Sequence, residues 1–346
     1  MSSTISLSRM ADGACGDCTW HLRGSTLTIR PSSSGGAHGC LSSSVGCVGT
    51  WPWLVFSNIR KVVVLPGVSL PTKTKGLFGG LSKLEEVDIS GFDCSQVRDL
   101  SGMFRNCKSL VKADLSELDF EMLKVVDDMF EGCESLISVS WPSSVPNLRS
   151  ARHLFAECVS LKEVDLSALG TRSLRNVSHM LSGCIALRSI CLDGWEATRL
   201  RDTSFMFDDC RSLADIPIAD WDLSLDKDAS FMFAGCASMV RIPVEHWDIG
   251  KCTNMAGMFS GCASLKWLTL SQWRPSCVVK SMHYMFAGCR NLFCVSLDGW
   301  EMEDPSILSH AFDECHELRL LSLLQWSPEM VRSLTVPRAA RLILNP

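Results

Sequence analysis

The sequence predicts an α/β repeat, a solenoid with one short parallel strand and one short helix per coil, preceded by a small β-rich cap. Three observations predict it. A cysteine recurs at one place in successive units, a short strand pattern follows each copy, and a tryptophan or another apolar residue closes most units. One such coil cannot bury its apolar face alone, but stacked copies bring like residues into ladders.

The cysteine sets the period. Met, Leu or Ala, then Phe or Leu, two residues and Cys recur at Cys107, Cys133, Cys158, Cys184, Cys210, Cys236, Cys262, Cys289 and Cys315, with steps of 26, 25, 26, 26, 26, 26, 27 and 26 residues. The stretch "LFGGLSKL" at Leu77 to Leu84 reads as a further copy, with Leu81 in the cysteine's place. Catalysis does not need nine copies of one thiol, so the nine are read as a structural ladder. At the corner between helix and strand a small, weakly donating thiol meets backbone carbonyls. Free thiols are expected, since a disulfide demands a specific Cβ geometry.

Segments such as "VVDDMFEGC" and "CTNMAGMFSGC" carry apolar residues at three-to-four spacing for about two turns, the pattern of a short helix. The residue before the cysteine is Asn106, Gly132, Glu157, Gly183, Asp209, Gly235, Gly261, Gly288 or Glu314. Most of these are types that adopt positive φ and end a helix. Leu-x-x-Val-x-Leu follows, as in Leu161, Val164 and Leu166 or Leu265, Leu268 and Leu270, and reads as a short strand with its apolar residues inward. That pattern, repeated about ten times, makes the array a solenoid. Pro217 and Pro243 fall inside successive strands and each removes a ladder donor, so the second half should be less regular.

Trp195, Trp221, Trp247, Trp273, Trp300 and Trp326 close successive strands as core or corner residues, with Phe92, Leu118 and Leu169 in the matching earlier places. Ahead of the Met-Phe pair runs the column Gly102, Asp128, His153, His179, Phe205, Phe231, Gly257, Tyr284 and His310. His153 and His179 are expected to stack on the outer face. A metal shared between them would need further paired ligands.

Domain bounds follow. Residues 1–74 form the cap, with "TWHL" and "TLTI" as a hairpin, "KVVVL" as another strand, and a Ser- and Gly-rich loop between them. Residues 75–326 hold the repeats and 327–346 a C-terminal cap.

Residues flanking the strand Val point away from the core and make two columns on the concave sheet. The first runs Glu86, Lys112, Ser138, Glu163, Ser189, Asp215, Arg241, Trp267, Cys294 and Leu320. The second runs Asp88, Asp114, Ser140, Asp165, Cys191, Pro217, Pro243, Thr269, Ser296 and Ser322. An acidic first half gives way to Arg241, Trp267 and Leu320, and exposed Trp beside Arg is the composition of binding hot spots. Asp215, Arg241, Trp267, Thr269 and Leu320 are therefore the candidate partner-binding residues. The alternative is that the C-terminal cap folds over them.

Several function classes lose support. With 33 Lys and Arg against 38 Asp and Glu, the net charge of -5 does not favour phosphate backbones or anionic lipid. No apolar run is long enough to span a bilayer, and "MSSTISLSRMADGACGDC" has no signal-peptide core, so on this reading the chain is soluble and unexported. No phosphate loop or nucleophile elbow appears, so no catalytic residue, cofactor or metal is expected. Cys15 and Cys18 form a C-x-x-C pair, the spacing of redox centres and zinc knuckles, but it leads into a strand rather than opening a helix. A zinc site from Cys15, Cys18, Cys40 and Cys47, or a redox role, stays an alternative, and Cys252 with Cys277 could pair between coils.

Units such as "MFRNCKSLVKADLSELD" and "MFSGCASLKWLTLSQW" resemble those of the BspA-like leucine-rich-repeat surface proteins, also known for Mycoplasma-lipoprotein-type repeats. "GACGDCTWHLRGSTLTIRPSSSGG", "TWPW" and "IRKVVVLPGV" are similar to the β-rich module that precedes such repeats. The resemblance implies a non-enzymatic bacterial cell-surface scaffold that binds host or neighbouring-cell proteins. Members generally carry a signal peptide and often an anchor, neither visible here, which keeps an intracellular interaction protein of the same architecture as the alternative.

Overall fold

Each coil turns on two residues with positive φ, four apart. In the computed structural model, which describes residues 10–32, 38–42, 51–273, 279–300 and 305–344, the first of them runs from Gly76 and Gly102 through Asp128, His153, His179, Phe205, Phe231, Gly257 and Tyr284 to His310. The second runs from Gly80 and Asn106 to Glu314 through each residue that precedes a ladder cysteine. A left-handed residue at this interval cannot continue an α-helix.

The helix expected in each coil is therefore replaced by consecutive tight turns. The Met103 N–H closes on Leu100 O at 3.1 Å and the Cys107 N–H on Phe104 O at 2.9 Å. The N–H groups of Leu100, Gly102, Phe104 and Asn106 instead reach the carbonyls of Val125, Asp127, Met129 and Glu131 in the next coil. Turns of this spacing bury Met103, Phe104, Cys107 and Leu110 on one side, which is why the sequence imitates a helical period.

The strands are short because each coil gives only a few residues to a face. β1 (Met10–Cys15), β2 (Cys18–Arg23) and β3 (Thr26–Pro31) form an antiparallel meander. β4 (Gly39–Cys40) belongs to a second sheet and accepts the Asp17 N–H from the β1–β2 turn, and β3 pairs in parallel with β5 (Lys61–Val64). β6 (Val68–Ser69) joins β4, β5 pairs with β7 (Glu86–Asp88), and β6 pairs with β8 (Phe92–Asp93). The parallel stacking thus begins inside the segment assigned to the cap, where β3 meets β5 and β4 meets β6, and two sheets run from that segment into the repeats.

β9 (Lys112–Asp114) pairs with β10 (Ser138–Ser140), and β11 (Glu163–Asp165) with β12 (Ser189–Cys191), each matching one coil to the next. β13 (Trp267–Thr269), β14 (Cys294–Ser296), β15 (Leu320–Ser322) and β16 (Arg341–Ile343) form a four-stranded parallel sheet. At residues 215–217 and 241–243 no strand forms, where Pro217 and Pro243 lack the N–H that a ladder needs. Among the described residues the α-helix is α1 (Pro328–Ser333), capped where the Ser327 hydroxyl oxygen accepts the Met330 N–H at 3.2 Å.

On another side of the coil, parallel bridges run without a break from Lys73 through Asp99, Val125, Ser150, Asn176, Asp202, Asp228 and Asn254 to Ser281. Asp228 Oδ1 accepts both the N–H and the hydroxyl of Ser230, at 3.0 and 2.5 Å, and Asp99, Asn176 and Asp202 do the same for Ser101, Ser178 and Ser204. These Asx turns lead the chain into the first positive-φ residue.

The core is a set of columns. Phe207, Phe233, Phe259, Phe286 and Phe312 stack with ring centroids 5.2 to 5.9 Å apart, and Phe78, Phe104, Phe130 and Phe155 do so in the first half. The buried tryptophans add hydrogen bonds. Trp195, Trp247, Trp273, Trp300 and Trp326 donate their indole N–H to Leu166, Ile218, Val244, Leu270 and Leu297 O of the preceding coil, at 2.8 to 3.0 Å.

Candidate partner-binding face

The alternation of the strand pattern decides what faces outward. In β13, Leu268 is buried while Trp267 and Thr269 are exposed. Trp267 is 48% exposed, and two apolar neighbours from adjacent coils are similarly open, Val240 at 41% and Phe293 at 49%. Lys266 beside them is exposed, Cys294 and Leu320 are half-buried, and Arg319 pairs with Glu317 at 3.0 Å. Arg241 donates to Glu245 Oε1 at 3.0 Å, and exposed Asp215 accepts the Ile216 N–H. Apolar and cationic groups thus gather at one end of the strand face.

The described residues of the C-terminal segment do not cover this patch. β16 pairs beside β15 with Leu320 opposite Arg341, so it lengthens the sheet and leaves Trp267 open. At the other end the face is acidic. Glu85, Glu86, Asp88, Lys61 and Lys112 line a groove of about 540 Å³ there, with Lys61 donating to Glu86 at 2.8 Å.

The nine ladder thiols are buried, and each donates to a carbonyl of the preceding coil at 3.0 to 3.3 Å. Burial pushes Cys133, Cys184 and Cys315 up to about 12, so these sulfurs stay protonated at neutral pH. The described cysteines are free thiols. Cys15 and Cys18 face each other across the turn at Gly16 and Asp17, both buried. Burial first, then the neighbouring Cys15 and Cys40, pushes Cys18 up to about 11, so it is no ready nucleophile. Cys15 donates to Ser42 O at 3.1 Å. Cys47 and Cys277 lie outside the described residues; Cys252, the expected mate of Cys277, is buried and donates to Asn254 O. His153 and His179 do stack, 4.7 Å apart and edge to face, but His153 Nδ1 is hydrogen-bonded to Asp128 at 2.9 Å.

No curated protein matches the chain. The family model described as "Mycoplasma protein of unknown function, DUF285" matches at residues 61–164, 139–242 and 227–335, which together run unbroken over most of the sequence. The chain belongs to the DUF285 family. The match begins at Lys61, the first residue of β5, so β1 to β4 of this DUF285 chain precede it.

Among solved structures, the DUF285 chain is similar to a leucine-rich repeat protein from Bacteroides ovatus, at 17% identity over 97% of this chain and 100% of that one, with a TM-score of 0.38. A leucine-rich repeat protein from Eubacterium ventriosum is similar at 12% identity over 92% and 79%, with a TM-score of 0.44. The pneumococcal vaccine antigen PcpA is similar at 12% identity over 98% and 94%, also at 0.44. The solenoid of the DUF285 chain rests on its own hydrogen bonds. Val240, Lys266 and Phe293 precede the alternating part of the strand and so fall outside the two columns read from the sequence.

Proposed function

We propose that this chain is a non-enzymatic protein-binding scaffold that takes its partner on the strand face around Trp267. One observation carries the reading: Trp267, Phe293 and Val240 stand open together beside Lys266 and Arg241. Contiguous large apolar side chains in water mark interaction sites, and Trp with Arg supplies most of the energy at such sites. Asp215, Thr269 and Leu320 form the polar and apolar surround. Thiols held protonated by burial offer no competing nucleophile at neutral pH.

The partner is a protein displayed by a host or a neighbouring cell, and the scaffold works at the bacterial surface. The resemblance of the repeats to BspA-like surface proteins supports this location. Among the described residues no helix is long and apolar enough to cross a membrane. Proteolysis of intact cells, followed by detection with an antibody against the repeats, tests it: the signal disappears if the solenoid is displayed. Protection until lysis would replace this reading with an intracellular interaction protein. For the binding face, Trp267→Ala and Phe293→Ala should each weaken partner binding by about 2 kcal/mol while the melting transition is kept.

A further inference from the structure

Away from the strand face, at the turns that precede the cysteines, three side chains of different chemistry converge. Asp128 and Glu131 belong to one coil and His153 to the next, and one ligand atom from each lies within 4.8 Å of the other two. Asp128 Oδ1 and His153 Nδ1 are 2.9 Å apart, near the ~3.3 Å edge of a tetrahedron built on metal–ligand bonds of ~2.0 Å. Glu131 Oε1 accepts from the Arg105 guanidinium at 3.0 Å, while its Oε2 is shut off from solvent with no hydrogen-bond partner. A shielded acceptor left unpaired is costly unless something else satisfies it.

The backbone holds this arrangement in advance. Asp128 and His153 occupy the same turn position in successive coils, with φ of 57° and 53°, a conformation that favours glycine and is kept here by the inter-coil hydrogen bonds. The His179 ring packs edge to face on His153 from the far side and limits its rotation. Two carboxylates beside the Arg105 guanidinium leave one net negative charge for a cation to neutralise.

We propose that Asp128, Glu131 and His153 bind a divalent transition-metal ion, zinc by the imidazole and carboxylate composition of the set. The ion takes the place of the Asp128–His153 hydrogen bond, with Nδ1 offering its lone pair and Nε2 keeping the proton. Glu131 Oε2 supplies the third protein ligand and water the remaining position. The metal thereby ties two neighbouring coils through their side chains.

Cobalt(II) is the probe, titrated into the reduced, chelator-treated full chain. One equivalent should bind, giving visible d–d bands without an intense sulfur-to-cobalt charge-transfer band. His153→Asn, which tolerates the same backbone, and Glu131→Gln should each weaken binding by at least the ~10-fold seen when even an outer partner is lost. Cys15→Ser with Cys18→Ser should leave binding unchanged, and zinc should raise the melting temperature of the parent but not of His153→Asn. Binding that survives in His153→Asn, a thiolate band that vanishes in the cysteine variant, or no binding to the parent would each overturn the proposal.

Discussion

Cys236 donates its thiol hydrogen to the carbonyl oxygen of Phe207, 3.2 Å away in the preceding coil. That oxygen already accepts the Cys210 N–H at 3.1 Å, so each cysteine adds the second bond to a carbonyl inside the core. Burial of the sulfur raises its pKa and removes the reactive thiolate. A thiol-reagent time course should therefore label exposed Cys40 in the native chain and the nine ladder cysteines only after guanidinium unfolding. Rapid native labelling of the ladder would contradict the buried geometry.

Asp226 gives a pH dependence. Its side chain is buried, Oδ2 accepts the Thr203 hydroxyl at 2.6 Å, and Oδ1 has no partner. Burial pushes its carboxyl up from 3.8 to about 7, so the folded chain holds the proton more tightly than the unfolded one. Its contribution is fully present below the unfolded value and is lost as pH rises through about 7. Asp226→Asn keeps an acceptor for Thr203 without the charge. Denaturant melts should show the variant gaining on the parent as pH rises, by a few kcal/mol, on the order of 1.4 per pH unit across the window. A pH-independent difference would show that Asp226 ionises as freely as in the unfolded chain.

Two tryptophans close the N-terminal end of the stack. In inner coils the carbonyls of Ser101 and Met103 accept N–H groups of the preceding coil, from Gly76 and Phe78. The equivalent Lys75 and Leu77 carbonyls receive the indole N–H groups of Trp51 and Trp53, at 2.8 and 2.7 Å. Trp53→Phe keeps most of the ring and strands the Leu77 carbonyl, so it should cost about 1 to 3 kcal/mol. Hydrogen exchange should accelerate first around residues 75–84, and unaltered stability would mean that water replaces the indole.

Phe231 and Gly257 are consecutive members of the first positive-φ column. A Cβ on Gly257 would clash with the Phe231 ring, which is itself stacked 4.8 Å from Phe205. Gly257→Ala should destabilise the chain by about 1 to 3 kcal/mol through overpacking. Adding Phe231→Ala removes the clash, so the double variant should lose less than the sum of the two single losses. Additive losses would show that the left-handed backbone alone, with φ +58°, accounts for the cost at Gly257.

The sequence disclosed the period, the inward columns and the breaks, because each depends on residue type alone: Leu268 and Val295 point in, and Pro217 and Pro243 cannot donate. It hid the nature of the turns. Gly102 and Gly257 mark the first left-handed position, but Phe205, Phe231 and Tyr284 sit in the same column and mask the signal, their unfavourable φ offset by ring stacking with neighbours. Trp267 was legible from strand alternation. Phe293 was not, since it stands where the chain enters its strand. The column in the repeat already set Asp128 beside His153, but the approach of Glu131 to both depends on side-chain geometry that the repeat does not give.

The measurement that bears most directly on the binding face is site-specific photo-crosslinking in intact cells, with benzoylphenylalanine in place of Trp267 or, as a control, in place of Lys108 on the turn side. Trp267 substituted in this way should yield a discrete adduct with one partner protein, and the Lys108 position should yield none. A discrete adduct from the Lys108 position alone, or none from the Trp267 position in cells where the partner is present, would contradict a binding surface on the strand face.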